Sequence, residues 1–449
     1  MQAALPCIMG MSAAMSELMS EPLANMKSTP FWWEEAPRDA GEIDELPTSV
    51  DVLIVGAGFS GLGAARVLTK AGRSVLVCEA DVIGYGASTR NGGMLGPSFH
   101  KLGVQGLKAH YGEARTHDIL RESVGFVGFI RDLIAEEGIE CEFRQSGRFR
   151  GASRPAHYDS MAREIEDQVR TTGIDACAVP RSQVKDEIGT NRFYGGVRYS
   201  IDGGLHPGKY HDGLAGVVRA AGGIVAGKTR VTGIVKSANG FNVETSRGIV
   251  EAGEVVIATN GYTGKVTPWF RRRVLPIRSS IIATEPLDDD LMQRLMPTGR
   301  MYGDSRRLMA YYRPSPDGRR ILFGGRATSA DQPVRNAAKL RTSMLDVFPE
   351  LDSVRITHSW SGLVAYAFDH IPHLGCHDGL WFAMGYCGSG VARASYFGTR
   401  LGHKILGDEE AGRTAFDDLP LETRPLYTGN PWFMSPIIQW HRMLDRFGI

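Results

Sequence analysis

Three glycines, Gly56, Gly58 and Gly61, stand at the G-x-G-x-x-G spacing directly after the apolar run Val52-Leu53-Ile54-Val55. That run, with Asp51 ahead of it, has the length and branching of a buried strand. An amphipathic stretch opens with Phe59 and Ser60, continues to Lys70 and is broken by Ala71-Gly72-Arg73. A second strand, 74–78, leads into Glu79 and Ala80. Each residue type has a physical task. Gly56 allows a tight turn, Gly58 lets the backbone approach a pyrophosphate, and Gly61 lets the helix pack on the strand. The first turn of that helix offers free N–H groups and a positive dipole end to phosphate. Glu79 suits a ribose diol. The chemistry to expect is the binding of a dinucleotide.

A second glycine-rich stretch, 84–94, reads GYGASTRNGGM. Composition alone makes it a loop. It resembles the G-A-S-x-R-N-G-G segment of the D-amino-acid oxidase superfamily of FAD enzymes. The resemblance implies that Gly86, Ala87, Ser88, Arg90, Asn91, Gly92, Gly93 and Met94 wrap the pyrophosphate and the flavin side of FAD. Further on, Glu254-Val255-Val256-Ile257 reads as a buried strand ending in Ala258-Thr259-Asn260-Gly261, which resembles the A-T-N/G-G element that such proteins set against the cofactor. The same resemblance places the backbone of Val231 at the adenine. Near the C-terminus the strand 380–384 runs through Gly385, Tyr386, Gly388, Ser389, Gly390 and Val391 into a helix. In this superfamily that helix points its positive end at the flavin pyrimidine, where it stabilises charge. Trp360 and Gly362 precede it in His358-Ser359-Trp360-Ser361-Gly362 and complete the implied cofactor set.

Across residues 29 to 449 the motif order resembles the amine-oxidising branch of the superfamily, which includes glycine, sarcosine and gamma-glutamylputrescine oxidising enzymes. The last group is nearest in motif order. The fold implied is mixed α/β: a Rossmann-type FAD-binding domain of the glutathione-reductase kind, interleaved with an antiparallel-sheet substrate domain. The expected division is a flexible extension 1–28, FAD-binding portions 29–103, 203–273 and 358–425, substrate or cap portions 104–202 and 274–357, and a helical tail 426–449. The adjacent Trp32 and Trp33 are expected to dock on the body of the protein, and the first ~20 residues to be poorly ordered. His206, before Pro207, is either a catalytic group or a helix cap, the cap being the simpler reading.

Composition agrees with a globular protein. The chain has 449 residues, 43% hydrophobic and 22% charged, and a net charge of +1, with a pI near 7.7. Nothing in that balance points to nucleic acid or an anionic membrane surface. No apolar window is long enough to span a bilayer. The six cysteines are scattered without a C-x-x-C pair, which argues against a zinc site or redox disulfide and suits a reducing cytoplasm.

The resemblance implies a reaction. FAD takes a hydride from the carbon beside the nitrogen of an unprotonated primary or secondary amine or amino-acid derivative. Water then hydrolyses the imine, and oxygen or another acceptor reoxidises the cofactor. The expected enzyme is an amine or amino-acid oxidase or dehydrogenase. A 2-hydroxy-acid or polyol-phosphate dehydrogenase on the same fold is the alternative. Candidate catalytic residues are Tyr311, Arg326, His358, Trp360 and His370, with Tyr366 beside them and Arg313 as a second carboxylate-binding candidate. Two departures from the family pattern matter. Sarcosine oxidases hold FAD through a cysteine in the segment matching 358–369, which here has none, so FAD is expected to be non-covalent. Leu322 falls near the family's oxygen-activating lysine, so an acceptor other than oxygen is expected.

Overall fold

A computed structural model describes residues 21–97 and 102–447. The extension 1–20 lies outside the described residues. The run 52–55 forms the strand Ser49–Val55 at the centre of an eight-stranded sheet. Val52, Leu53 and Ile54 are fully buried, as both faces of a parallel sheet must be when helices cover them. The order from one edge is His373–His377, Leu380–Met384, Gly248–Ile257, Ser49–Val55, Val75–Cys78 and Ile224–Ala226, and the hairpin Val231–Ser237/Gly240–Thr245 extends from Gly248–Ile257. Ser49–Val55 pairs in parallel with both Val75–Cys78 and Gly248–Ile257, Val55 opposite Cys78 and Ile257. Three strand ends, and the glycine-rich turns after them, therefore open on one edge.

Two helices carry those turns. Phe59–Lys70 follows the first glycine motif and Gly390–Ile405 the last. They pack backbone to backbone: a Cβ at Gly398 would lie 2.2 Å from the Ser60 carbonyl oxygen. Gly56 has φ +106°, and a Cβ at Gly61 would meet the Gly56 carbonyl at 2.1 Å. The glycine spacing is thus a statement about packing before it is one about ligands.

A second eight-stranded sheet runs Ile356–Tyr366, Leu275–Thr284, Ile321–Gly325, Tyr311–Pro314, Met301–Asp304, Arg148–Gly151, Gly195–Tyr199, Ala176–Pro180. It is antiparallel except where Met301–Asp304 runs beside Arg148–Gly151. Ile356–Tyr366 differs from the expected division. Residues 358–366 were placed with the FAD-binding portion, but the whole strand is hydrogen-bonded along Leu275–Thr284 in the second sheet. The long helix Gly103–Glu136 is interrupted at Gly112, where φ is +75°.

The N-terminal aromatics dock as expected. Phe31 and Trp32 are buried with Ile281, Ala283, Leu322 and Trp360, so they cover one half of the second sheet's inner face. The other half stays open over the strand ends of the first sheet. At the far end of the chain, helix Met434–Phe447 lays Met434 and Ile438 against Ile277, Tyr366 and Cys387. Among the described residues no helix is long and apolar enough to cross a membrane.

The helix contact sets a test. Gly398→Ala must push Gly390–Ile405 off Phe59–Lys70, and overpacking of this kind costs about 1–3 kcal/mol. Chemical denaturation should show a lowered midpoint, and an unchanged midpoint would refute the contact.

Candidate active site

The first glycine turn, the segment 84–91, the turn 258–262 and the start of Gly390–Ile405 together line a trough of 540 Å³. Gly56, Gly58, Phe59, Ser60, Glu79 and Ala80 form one wall, with Val231 at the same end. Gly86, Ala87, Ser88, Asn91, Ala258, Thr259, Asn260 and Gly261 continue it, and Tyr386, Gly388, Gly390 and Val391 close it. Glu79 accepts from the Ala57 N–H (3.2 Å) and the Asp81 N–H (3.3 Å). Its burial raises its carboxyl against those donors. Ser88 Oγ accepts from the Phe59 N–H at 3.0 Å, tying segment 84–94 to the helix N-terminus. His211, unmarked in the sequence, donates through Nε2 to the Ala57 carbonyl at 2.7 Å and braces the turn from behind.

Segment 84–94 is held by its own carbonyls. Asn91 Nδ2 donates to the Ala87 and Ser88 carbonyls, and Asn91 Oδ1 accepts from Gly93 N–H at 2.7 Å. Trp360 Nε1 donates to the Arg90 carbonyl (2.9 Å), Trp32 Nε1 to that of Asn91 (2.7 Å), and Arg313 Nη1 to that of Gly93 (3.0 Å). Arg90 spreads its guanidinium over the Trp33 and Tyr85 rings.

A second, smaller cavity of 190 Å³ adjoins the trough and shares Ala87, Asn91, Leu363, Val364, Gly388 and Val391 with it. Arg90, Gly92, Met94, Gly362 and Ser389 line this cavity. Gly61, Gly93, Gly385 and Trp360 line neither, because each packs or hydrogen-bonds against protein. Gly385 N–H, for example, donates to Asn260 Oδ1 at 3.0 Å.

Of the five catalytic candidates, Tyr311 and Arg326 line the smaller cavity, with Tyr366 beside them. Tyr311 hydroxyl lies 2.9 Å from Ser279 Oγ, and burial pushes its pKa up to about 12. Arg326 Nη2 donates to the Tyr366 hydroxyl at 2.6 Å. The other three lie elsewhere. Trp360 is the strut under Arg90, and His358 is paired with Glu34 at 3.1 Å beneath Phe31. Both fall on the half of the sheet that the N-terminal aromatics cover. His370 is exposed, in a left-handed turn with φ +65°.

Arg313 is buried, lines neither cavity, and gives its Nε and Nη1 to the carbonyls of Pro314, Gly93 and Leu205, so it is a strut rather than a carboxylate clamp. Leu322 lies in the aromatic cluster and lines neither cavity. His206 is a helix cap, accepting from the Lys209 N–H at 3.1 Å, with its pKa lowered to about 4 by burial. Ala57, Tyr262 and Lys265 also line the trough; none carried a sequence signal beyond standing next to a motif.

The trough fits FAD. A Cβ on Gly58 would meet only Ser88 Oγ, at 3.0 Å, and otherwise open space. Gly58→Val should therefore fold yet lose FAD, because its side chain fills the pyrophosphate path. A soluble, yellow variant with the normal absorbance ratio would refute this. Acid precipitation of the wild type should leave all the flavin in the supernatant. Colour in the pellet would point to Cys387, which lines the smaller cavity.

Known proteins agree with this geometry. The family model for FAD-dependent oxidoreductases, DAO, matches residues 51–403. The probable oxidoreductase OrdL of Haemophilus influenzae is 31% identical over 80% of this chain and 84% of its own. Gamma-glutamylputrescine oxidoreductase of Escherichia coli is 31% identical over 84% and 88%. The crystal structure of glycine oxidase from Geobacillus kaustophilus superposes with a TM-score of 0.70 at 20% identity, covering 84% of this chain and 99% of that one. A paired-sheet fold, a dinucleotide trough walled by four glycine-rich turns and a family match across most of the chain lead to one conclusion: the protein belongs to the DAO family of FAD-dependent oxidoreductases, and its cofactor is FAD.

Proposed function

We propose that the protein oxidises the carbon–nitrogen bond of an amine carried on a larger, carboxylate-bearing molecule. The wall of the smaller cavity carries this reading. Among its described lining residues are Arg90, Arg148, Arg307 and Arg326, and there is no Asp, Glu, Lys or His. Such a wall attracts carboxylate, and an ammonium placed against it loses its proton more readily. Arg326 is oriented by Tyr366 and makes no ion pair among the described residues, so its planar fork is available for bidentate capture. Relatives named gamma-glutamylputrescine oxidoreductase and glycine oxidase support an amine as the reacting group.

FAD, when bound, supplies the hydride acceptor. The chain's own residues position and desolvate. Tyr311 stays protonated across the physiological range and offers a neutral hydroxyl beside Ser279. Met434 and Ile438 of the C-terminal helix pack behind Ile277 and Tyr366, shielding the wall from solvent. The N-terminus of Gly390–Ile405 turns its positive end to the junction of the two cavities, where it stabilises negative charge. No lysine is among the described residues lining the smaller cavity, which supports an acceptor other than oxygen.

Arg326→Lys should raise the apparent KM about tenfold or more with the flavin spectrum unchanged, as expected when a bidentate contact becomes a point charge. Anaerobic flavin reduction across amine concentrations checks it, and an unchanged concentration dependence would remove Arg326 from the site. With no carboxylate or imidazole among the described residues of the cavity wall to act as base, the rise of reduction rate with pH should follow the pKa of each amine tested. A midpoint independent of the amine would show an enzyme base at work. Faster reduction by 2-hydroxy acids than by any amine would favour the alcohol-oxidising alternative.

A further inference from the structure

Two kinds of arginine stand near the smaller cavity. Arg313 is the structural kind, with its donors given to backbone carbonyls. Arg148 is not. Its side chain is 18% exposed and lines the cavity. Its Nε lies 3.0 Å from Asp202 Oδ2, and its guanidinium sits over the Tyr199 ring at 5.0 Å. The ion pair lacks hydrogen-bond alignment: Arg148 Nε and both Asp202 oxygens are without a hydrogen-bond partner. The terminal nitrogens of Arg148 likewise make no hydrogen bond to any described residue.

Asp202 is the second observation. Its side chain is completely buried, and it packs against Gly96, where a Cβ would lie 2.2 Å from Oδ2. Gly96 itself lines the cavity. Removing either partner of a buried ion pair leaves an uncompensated charge, so Asp202 holds the Arg148 guanidinium at the cavity wall without using up its outward donors.

The sheet sets the spacing. Arg148–Gly151 neighbours Met301–Asp304, then Tyr311–Pro314, then Ile321–Gly325, after which comes Arg326. The register sets Arg148 level with Met301, Arg313 and Leu322, so the backbone of Gly325 lies three strand spacings across and three residues along, about 17 Å away at about 4.8 Å per spacing and about 3.3 Å per residue. Tyr311 stands between them.

We propose that Arg148, set by Asp202, is a second carboxylate subsite of the same cavity, holding the end of the substrate remote from Arg326. This deepens the reading of the cavity as a substrate site and rests on it. The class it selects is an elongated amine with a carboxylate at either end.

The test uses the FAD-loaded enzyme and needs no turnover. Flavin absorbance is titrated with aliphatic dicarboxylates from succinate to suberate, and with monocarboxylates of matching chain length. The best dicarboxylate should bind about tenfold or more tightly than its monocarboxylate partner, the value of one added charge-assisted bidentate contact. Arg148→Gln should abolish that preference and leave monocarboxylate affinity and FAD content unchanged. Because Arg148→Gln strands a buried carboxylate, the double variant Arg148→Gln/Asp202→Asn is measured alongside and should show the same loss. A wild type without the preference, a wild type that binds none of these acids, or variants that keep the preference would each overturn the proposal. Arg326→Lys separates the two readings, since it should weaken mono- and dicarboxylates alike. If it weakens neither while Arg148→Gln still removes the preference, the Arg326 clamp fails and the Arg148 subsite stands.

Discussion

The capture of the backbone carbonyls of residues 90–93 is the interaction on which both cavities depend. Trp32, Trp360 and Arg313 donate to Asn91, Arg90 and Gly93 in turn. These donors come from the N-terminal segment and two strands of the second sheet, whereas the acceptors belong to a segment anchored on the first sheet through Ser88 and Phe59. A carbonyl buried without a donor costs about 1–3 kcal/mol, so the segment has one satisfied position. That position makes residues 87–92 at once the wall of the trough and the wall of the smaller cavity.

The same constraint explains the placing of the aromatics. Phe31 and Trp32 cover the half of the second sheet that carries Trp360 and His358. The uncovered half carries Tyr311, Ser279, Val364 and Tyr366. One sheet face is thereby divided into a dry support and a cavity wall. The division falls within a single strand, between Trp360 and Gly362.

Charge is distributed to match. The trough accepts a phosphate-bearing ligand on N–H groups and a helix dipole, with the half-buried acids Glu79 and Asp81 at the far end. The smaller cavity is arginine-walled. Arg313 supports backbone, Arg326 is aimed by Tyr366 and Arg148 by Asp202. Similar side chains therefore do different work according to which acceptors the fold leaves within reach.

How much of this was legible beforehand follows from what each motif depends on. Gly56 and Gly61 were readable because local sterics demand them: a turn at φ +106°, and a Cβ on Gly61 that would lie 2.1 Å from the Gly56 carbonyl oxygen, leave only glycine, while Gly58, Glu79 and the 84–94 segment were readable from their spacing to those two and from the family resemblance. The mixed α/β class and the strand–turn–helix units followed from the same short-range patterns. The assignment of Ile356–Tyr366 did not, because its pairing with Leu275–Thr284 lies outside its own sequence neighbourhood. Nor did the fates of His358, Trp360, His370 and Arg313, whose residue types suit chemistry equally well. Only packing decided that Glu34 and Phe31 would enclose His358, that carbonyls would occupy Arg313, and that Arg148, silent in the sequence, would face the cavity with Asp202 behind it. Residue type and spacing determine what a side chain can do. Which partner reaches it first is settled by long-range contacts that a linear pattern does not encode.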